Sequence, residues 1–238
     1  MLLGYMLIQM DFRLGASLSQ PEFTQKKMQN KIVIRQLGVT TYEKSFQAMR
    51  AFTDRRDDNT ADEFWALQHL PVFTQGQAGK AEHILSPGNI PIVQSDRGGQ
   101  VTYHGPGQLI LYVLVDIKRK NLGIRKFVNC LENAMIGLLA EYQIKAETLV
   151  DAPGVYVSGA KICSLGLRIR KGASYHGLSF NVDMDLEPFS RINPCGFRDL
   201  KITQLSHFIK PPTFEKLSQQ LILHLCQHLE YNMMVDGS

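Results

Sequence analysis

The spacing of hydrophobic and polar residues along this chain predicts a mixture of helices and strands. In three segments apolar residues recur at intervals of three and four, which is the period of an amphipathic helix. These predicted helices run from Thr40 or Thr41 to about Arg56, over 124–141, and over 213–231. A threonine directly before the first apolar stripe is a typical helix cap.

Strand-like segments lie outside these helices. They are short runs of aliphatic, aromatic and β-branched residues bounded by turn residues. We predict them at 31–38, 63–74 with a break at Pro71, 101–103, 108–117, 154–157, 161–170 and 175–183. The run at 108–117 is apolar on both faces, which is typical of a central strand. Because helices and strand clusters alternate irregularly, the pattern predicts a single α+β (α/β) domain with a mostly mixed or antiparallel sheet.

Composition and charge exclude several classes of protein. Of the 238 residues, 44% are hydrophobic and 20% are charged, and the formal net charge is +4. This charge is too small to indicate a nucleic-acid partner, although basic runs such as 118–120 and 168–171 suit either an acidic protein partner or solvated strand ends. The apolar start at 1–8 is too short to span a membrane. Residues 1–30 are predicted to be a disordered extension that precedes a domain at 31–238.

The four cysteines do not form a CxxC pair or a zinc-ligand spacing, so we expect no metal. Without a secretory signal, reduced thiols in the cytoplasm are the simplest interpretation. Cys130 and Cys226 fall on or beside apolar helix faces and are expected to be core residues. Cys195 differs, because its position between Pro194 and Gly196 predicts a tight bend that leaves its sulfur accessible.

Lys161 lies on a predicted strand among small and apolar residues. A lone lysine on a strand usually points to water, but these neighbours suggest a restricted environment that would suit proton transfer. A thiol attacks as the thiolate, and a nearby ammonium lowers the thiol pKa. Lys161 and Cys195 are therefore a candidate pair of activator and nucleophile. Cys163 is the alternative nucleophile, because regular strand alternation would place it on the same face as the lysine.

Two further segments combine glycines with polar side chains. Within 97–108, Arg97, Tyr103 and His104 could supply hydrogen-bond donors and an aromatic wall, although a glycine-rich hairpin with a structural histidine fits equally well. The segment contains neither a Walker loop nor a Rossmann fingerprint. Gly177, inside a predicted strand, indicates close approach of a ligand or of another backbone segment. We expect the adjacent His176 to be a structural donor rather than a residue that lines a site.

Taken in order, four motifs resemble those of the octanoyltransferase family of lipoate biosynthesis, also called lipoyl(octanoyl) transferases. They are RGGQVTYHGPGQ (97–108), GAKICSLGLRI (159–169), HGLSFNV (176–182) and NPCG (193–196). The resemblance extends from about residue 31 to at least residue 205, and residues 1–30 have no counterpart. It implies that 31–238 is a catalytic domain with a larger mixed sheet and a smaller sheet flanked by helices, similar to the catalytic domains of biotin and lipoate protein ligases.

The resemblance also implies an acyltransferase activity. Such enzymes take an octanoyl group from octanoyl-acyl carrier protein and pass it to a lysine of the lipoyl domains of 2-oxoacid dehydrogenase complexes and of the glycine cleavage H protein. By motif position, Cys195 matches the nucleophile that carries the acyl group as a thioester, and Lys161 matches the lysine that lowers its pKa. The residues that match substrate-binding positions are Arg97, Gly98, Gly99, Gln100, Val101, Thr102, Tyr103, His104, Ser164, Leu165, Gly166, Gly177, Leu178 and Ser179.

Three alternatives to this activity stay open on the sequence. An ATP-dependent lipoate-protein ligase shares the implied fold but typically has an RRxSGGG-like loop, whereas this chain has Asp96-Arg97-Gly98-Gly99-Gln100. A lipoyl-domain amidotransferase would also use a cysteine and would differ in its donor. A non-catalytic binding module would keep Cys195 as a buried thiol. The transferase mechanism needs neither ATP nor a metal, because its thioester donor is already activated, and we expect no cofactor.

Overall fold

The computed structural model describes residues 31–150, 152–196 and 200–237, without the side chains of Cys195 and Met233. The predicted extension at 1–30 lies outside these residues. The described chain forms the strands β1 (Lys31–Thr40), β2 (Asp62–His69), β3 (Val72–Gln75), β4 (Ile92–Gln94), β5 (Val101–His104), β6 (Gln108–Leu114), β7 (Glu147–Leu149), β8 (Ala152–Val157), β9 (Ala160–Arg170), β10 (Ala173–Asn181) and β11 (Met233–Asp236). Its α-helices are α1 (Tyr42–Arg55), α2 (Ile124–Glu141) and α3 (Phe214–His228).

The strands form a larger and a smaller sheet, both of them mixed. The larger sheet has the order β11-β1-β2-β6-β10-β9-β8-β7. In it β1 pairs in parallel with β11 and β2, and the other neighbours are antiparallel. The smaller sheet has the order β4-β3-β5, with β3 parallel to β4 and antiparallel to β5. This arrangement confirms the predicted fold class, and β6 is central and buried at every position, as expected.

The helices begin and end close to where the apolar stripes predicted. Thr41 and Thr213 cap α1 and α3, because each side-chain oxygen accepts a hydrogen bond from the backbone N–H three residues later. The bounds of α2 agree with the prediction. The predicted end of α3 at residue 231 is wrong by three residues. The helix stops at His228 because Glu230 adopts a left-handed backbone conformation with φ of 57°.

Alternation along β6 separates two apolar cores on opposite faces of the larger sheet. Leu109, Leu111 and Val113 face a core shared with α2 and α3. Ile110, Tyr112 and Leu114 face a second core shared with α1. A third cluster lies beneath the smaller sheet. None of the described helices is long and apolar enough to cross a bilayer.

The hairpin between β8 and β9 determines where Lys161 lies. Its two central residues, Ser158 and Gly159, have φ of 50° and 75°, as a type I′ turn requires. Val157 pairs with Ala160 across this turn. Farther along, the register shifts so that Ile162 has no partner on β8, which marks a β-bulge. A two-residue turn followed by a bulge therefore fixes both the position and the orientation of the strand that carries the lysine.

Candidate active site

A cavity of ≈ 320 Å³ lies between the glycine-rich segment before β5 and the strands β9 and β10. Its volume falls at the lower end of the range for ligand pockets, roughly 300–1,000 Å³. Lys161 contributes to its wall. So do all but one of the predicted substrate-binding residues, namely Arg97, Gly98, Gly99, Gln100, Val101, Thr102, His104, Ser164, Leu165, Gly166, Gly177, Leu178 and Ser179.

Tyr103 is the predicted residue that does not line this cavity. Its ring packs in the cluster beneath the smaller sheet, 5.5 Å from the ring centre of Phe73 and 5.6 Å from that of Phe189. Its neighbours Thr102 and His104 contribute to the cavity instead. Successive side chains of a strand point to opposite faces, and this alternation places the tyrosine away from the cavity.

Arg97 is buried and holds the glycine-rich segment in shape. Its guanidinium donates to the carbonyl oxygens of Thr74 at 2.6 Å, Gly98 at 2.9 Å and Gln100 at 2.8 Å. The N–H of Gly98 in turn donates to the carbonyl of Leu167 on β9 at 2.8 Å. The arginine therefore stabilises the loop conformation, and the loop is attached directly to the strand that carries Lys161.

Lys161 is buried, with only 2% of the residue exposed. Its Nζ donates to the carbonyl oxygen of Pro153 at 3.1 Å and lies 5.2 Å from the ring centre of Tyr156. Its backbone is held as well, because its N–H donates to the carbonyl of Lys201 and its own carbonyl accepts from Thr203. The predicted restricted environment of this lysine is confirmed.

Gly154 on β8 leaves the space that the lysine side chain occupies. Its φ is 138°, a backbone conformation that other residues rarely adopt. A Cβ at this position would lie 2.6 Å from the carbonyl oxygen of Cys163 and 3.1 Å from Cε of Lys161. A larger residue here would therefore displace either the β9 backbone or the lysine.

Cys163 belongs to the core between the sheet and α2, and only 1% of it is exposed. Burial raises the pKa of its thiol well above the ordinary value, and the nearby Lys161 only partly opposes this. The prediction that Cys163 shares a strand face with Lys161 assumed regular alternation, which the bulge at Ile162 interrupts. Cys163 therefore stays a protonated core thiol at neutral pH. Cys130 and Cys226 are buried too, as predicted.

The backbone around Cys195 forms the predicted bend, while its side chain lies outside the described part of the structure. Pro194–Gly196 is a 3₁₀ turn in which Gly196 has φ of 81°. The turn packs against β5. A Cβ on Gly196 would lie 2.8 Å from Nε2 of Gln100, which lines the cavity. The turn that carries Cys195 is thus in contact with the cavity wall.

An aromatic–histidine wall, consisting of Tyr42, His69, His104, Tyr112 and His176, forms another side of the site. These five rings contact one another with centroid separations of 5.4 to 6.5 Å. All of them except His69 line the cavity. The tyrosines were not predicted as site residues, because in the sequence they are indistinguishable from the apolar stripe of a helix and from a buried strand.

Two histidines of this wall are kept neutral by burial. His69 Nδ1 faces the carbonyl of Thr40 at 3.1 Å and must donate, so its Nε2 accepts from the hydroxyl of Tyr112 at 2.6 Å. Burial lowers the pKa of His69 to about 4. Burial also lowers the pKa of His104 well below its ordinary value, and its Nδ1 donates to Oε1 of Gln108 at 2.8 Å.

His176 both makes a structural hydrogen bond, as predicted, and lines the cavity. Its Nε2 lies 2.8 Å from Oδ1 of Asp96, whose other oxygen accepts from Tyr175 at 2.5 Å. Burial lowers the pKa of His176, and Asp96 opposes that shift. At the neighbouring Gly177, a Cβ would lie 2.1 Å from the carbonyl of Leu111. The close approach predicted for this glycine is therefore made by another backbone segment.

The cavity combines an apolar interior with two cationic side chains. Ile110, Val128, Leu165 and Leu178 contribute apolar surface, and Arg97 and Lys161 are the basic residues of the wall. Among the described residues that line it, none carries a carboxylate. Such a site suits an apolar chain with a polar or anionic reacting end.

Comparison with known proteins identifies the family. Residues 41–226 match the model described as the lipoyl protein ligase A/B catalytic domain. An octanoyltransferase from Pectobacterium atrosepticum is 57% identical over 205 residues, which cover 86% of this chain and 90% of the relative. An octanoyltransferase from Pseudomonas syringae pv. syringae is 59% identical over 197 residues, or 83% and 90% of the two chains. This chain belongs to the octanoyltransferase family. It is an acyltransferase, and its activity is octanoyl transfer for lipoylation.

Solved structures of low sequence identity share the fold of this family member. A lipoate-protein ligase A bound with ATP superposes with a TM-score of 0.70 at 16% identity, covering 88% of this chain and 89% of the other. A bipartite lipoate protein ligase from Thermoplasma acidophilum gives 0.69 at 16% identity, with coverage of 89% and 88%. A biotin protein ligase from Aquifex aeolicus gives 0.50 at 13% identity, with coverage of 84% and 68%. The predicted similarity to ligase catalytic domains is confirmed.

Proposed function

We propose that this octanoyltransferase takes its acyl group from octanoyl-acyl carrier protein, carries it as a thioester on Cys195 and passes it to a lysine of a lipoyl domain. The observation that carries the proposal is the buried Lys161 in the wall of a largely apolar cavity. Gln100 in that wall also contacts the turn that contains Cys195. A buried amine and a cysteine-bearing turn that adjoin the same cavity are an arrangement that suits thiolate chemistry.

In the first step the Cys195 thiolate attacks the carbonyl carbon of the donor thioester. A new C–S bond forms to the cysteine, and the C–S bond to the carrier's sulfur breaks. The departing carrier thiolate takes a proton from the Lys161 ammonium and leaves as the thiol, so the lysine is neutral at the start of the second step. The Lys161 ammonium lowers the thiol pKa and so raises the fraction of thiolate. Since one thioester replaces another, the two sides have similar free energy. The step needs no ATP and no metal to drive it.

In the second step the amine of the acceptor lysine attacks the acyl-enzyme. The bond from the carbonyl carbon to the Cys195 sulfur breaks, an amide forms, and Lys161 in its neutral form can take the proton that the amine loses. An amide is more stable than a thioester, so this step is downhill. A backbone N–H would stabilise the oxyanion. The N–H of Gly98 is not available for this role, because it donates to Leu167.

The apolar part of the cavity is the proposed site for the octanoyl tail. Ile110, Val128, Leu165 and Leu178 would bury methylene groups of the chain. Each buried methylene contributes about 0.8 kcal/mol, so the length of the cavity would limit the length of the acyl chain that is accepted. The neutral histidines of the aromatic–histidine wall are compatible with this role, because they add no charge to the apolar interior.

The family resemblance supports the choice of partners. The donor is octanoyl-acyl carrier protein, and the acceptors are the lipoyl domains of 2-oxoacid dehydrogenase complexes and the glycine cleavage H protein. No nucleic acid, membrane, ATP or metal takes part in this proposal.

The test is the intact mass of the enzyme after mixing with octanoyl-acyl carrier protein in the absence of ATP. We expect one octanoyl adduct, which apo lipoyl domain then discharges. Cys195→Ala should form no adduct while keeping its fold. Cys163→Ala is the matched control and should be acylated at the rate of the unchanged enzyme, because its thiol is a protonated core residue.

Three outcomes would contradict the proposal. Full turnover by Cys195→Ala would exclude the covalent intermediate. Acceptor modification that requires ATP and free octanoate, with no adduct from the carrier protein, would assign the enzyme to the ATP-dependent ligases. An adduct supplied equally well by an octanoylated lipoyl domain would point instead to an amidotransferase.

A further inference from the structure

Glu132 is a buried carboxylate on a helix face that is otherwise apolar. It lies on α2, between the buried residues Leu131 and Met135, and only 7% of it is exposed. A buried carboxylate is costly unless it accepts hydrogen bonds, and so it is rarely kept in a core without a partner. Its position on α2 therefore calls for an explanation beyond packing.

The partner of Glu132 is a backbone group beside the lysine. Its Oε1 accepts a hydrogen bond from the N–H of Gly154 at 2.9 Å, and this bond is buried. The carbonyl oxygen of Pro153 accepts from Nζ of Lys161 at 3.1 Å. That N–H and that carbonyl are the two ends of one peptide group, which is planar.

A single peptide group thus stands between an acidic and a basic side chain. In a trans peptide the N–H and the C=O point in opposite directions. Glu132 contacts the positive end of this dipole, and Lys161 contacts the negative end. Hydrogen bonds in such a chain polarise one another and strengthen in a buried site. The missing side chain of Gly154 leaves room for the lysine, since a Cβ there would lie 3.1 Å from the lysine Cε.

We propose that Glu132 is a positioning residue for Lys161. Its carboxylate orients the Pro153–Gly154 peptide group so that the carbonyl oxygen holds the lysine amine at the cavity wall. The catalytic benefit of this arrangement rests on the proposed function, because it presumes that Lys161 activates a cysteine. The positioning itself is a property of the folded chain and can be measured without turnover.

The carboxylate should also favour the charged form of the lysine. Among the described residues, titratable side chains close to this lysine include Tyr156 on β8, Cys163 on β9 and, across the Pro153–Gly154 peptide group, Glu132 on α2. Of these, Glu132 is the one carboxyl group. Replacing it by glutamine keeps an oxygen that can accept from Gly154 but removes the charge. Lys161 should then lose its proton at lower pH.

The experiment is a pH titration of the full chain, labelled with ¹³Cε- and ¹⁵Nζ-lysine, by NMR. The Lys161 signal is assigned from its absence in Lys161→Arg. In Glu132→Gln we expect the Lys161 titration midpoint to move to lower pH by about one unit. Glu147→Gln is the control, because Glu147 is an exposed carboxylate on β7 and its removal should leave the midpoint in place. An unchanged midpoint in a folded Glu132→Gln enzyme would overturn the proposal.

A second measurement uses the unchanged enzyme and covers the case in which Glu132→Gln does not fold. The amide signal of Gly154 should shift with the same midpoint as the Lys161 signal, since both report on one peptide group. A Gly154 amide that does not respond while Lys161 titrates would also overturn the proposal. Octanoyl adduct formation on Cys195 is measured separately, so a failure of the transferase mechanism leaves these two readouts interpretable.

Discussion

Buried ionisable groups on two sides of the cavity have different hydrogen-bond partners. On the aromatic–histidine wall, burial lowers the pKa of every histidine. Both ring nitrogens of His69 and Nδ1 of His104 have neutral partners, and Nε2 of His176 lies against the Asp96 carboxyl group. On the lysine wall, defined by Glu132, Pro153, Gly154 and Lys161, a backbone peptide group links an acidic to a basic side chain. Burial alone thus removes charge from a site, whereas burial with a polarised backbone partner can keep it.

The largest expected effect comes from removing the basic group of the lysine wall. Lys161→Ala should slow octanoyl transfer by about 100-fold or more, because the cysteine loses its activator and the amine its proton acceptor. The pH midpoint of Cys195 alkylation should rise by about one to three units. Alkylation kinetics with iodoacetamide across pH measure this shift.

Lys145→Ala is the control for that experiment, since Lys145 is an exposed lysine. It should leave both the transfer rate and the alkylation profile unchanged. An alkylation profile in Lys161→Ala that matches the unchanged enzyme would mean that the lysine wall does not activate the thiol.

A smaller effect is expected when the lysine wall is distorted but keeps its lysine. Gly154→Ala should lower the free energy of unfolding by about 1–3 kcal/mol, because of its φ and the contact with the Cys163 carbonyl. The transfer rate should fall too, because the new methyl group displaces the lysine stem. Urea denaturation and the octanoyl transfer rate measure the two effects.

Gly159→Ala is a matched control, because that glycine also has a positive φ but would place its Cβ in open space. It should cost about 1 kcal/mol through backbone strain alone and should keep the transfer rate. If the two variants lost activity equally, contact with Lys161 would not explain the result for Gly154.

A further effect concerns the histidines and appears in stability rather than in activity. Burial lowers the pKa of His69 to about 4, so below pH 6.5 the unfolded chain binds a proton that the native state does not. Stability should therefore fall as the pH drops through this range, by about 2 kcal/mol from pH 7 to pH 5 for this residue. Urea denaturation of His69→Gln should show a shallower pH dependence than that of the unchanged enzyme. His228→Gln, at an exposed position, should retain the full slope.

The parts of the fold that were predictable are those determined by local sequence. The stripe of α2 and the hairpin of β9 and β10 each follow from periodicity within a short continuous segment. The strands β4, β7 and β11 were not predicted, because each has three or four residues and little pattern of its own. The strand β11 exists through parallel pairing with β1 at the far end of the chain, a contact that local sequence does not encode.

The features of the site also divide into those that local sequence predicts and those that depend on the fold. The glycine-rich segments were identifiable because the motifs preserve both residue types and spacing. Glu132 was not identifiable from the sequence. A single carboxylate within an apolar helix stripe indicates a role only when the fold places the Gly154 N–H against it. The prediction that Cys163 shares a face with Lys161 assumed regular alternation, and a bulge at Ile162 breaks that assumption.

The hairpin turn at Ser158 and Gly159 has a consequence for the order in which the site can assemble. Glu132 and Lys161 are 29 positions apart in the chain, and the hairpin brings β8 and β9 together through a two-residue connection. The aromatic–histidine wall instead requires residues from Tyr42 to His176 to meet. Closing short loops costs less conformational entropy than closing long ones and is faster. The half of the cavity that holds the lysine can therefore form as a local unit, whereas the aromatic–histidine wall can form only once the whole sheet has assembled.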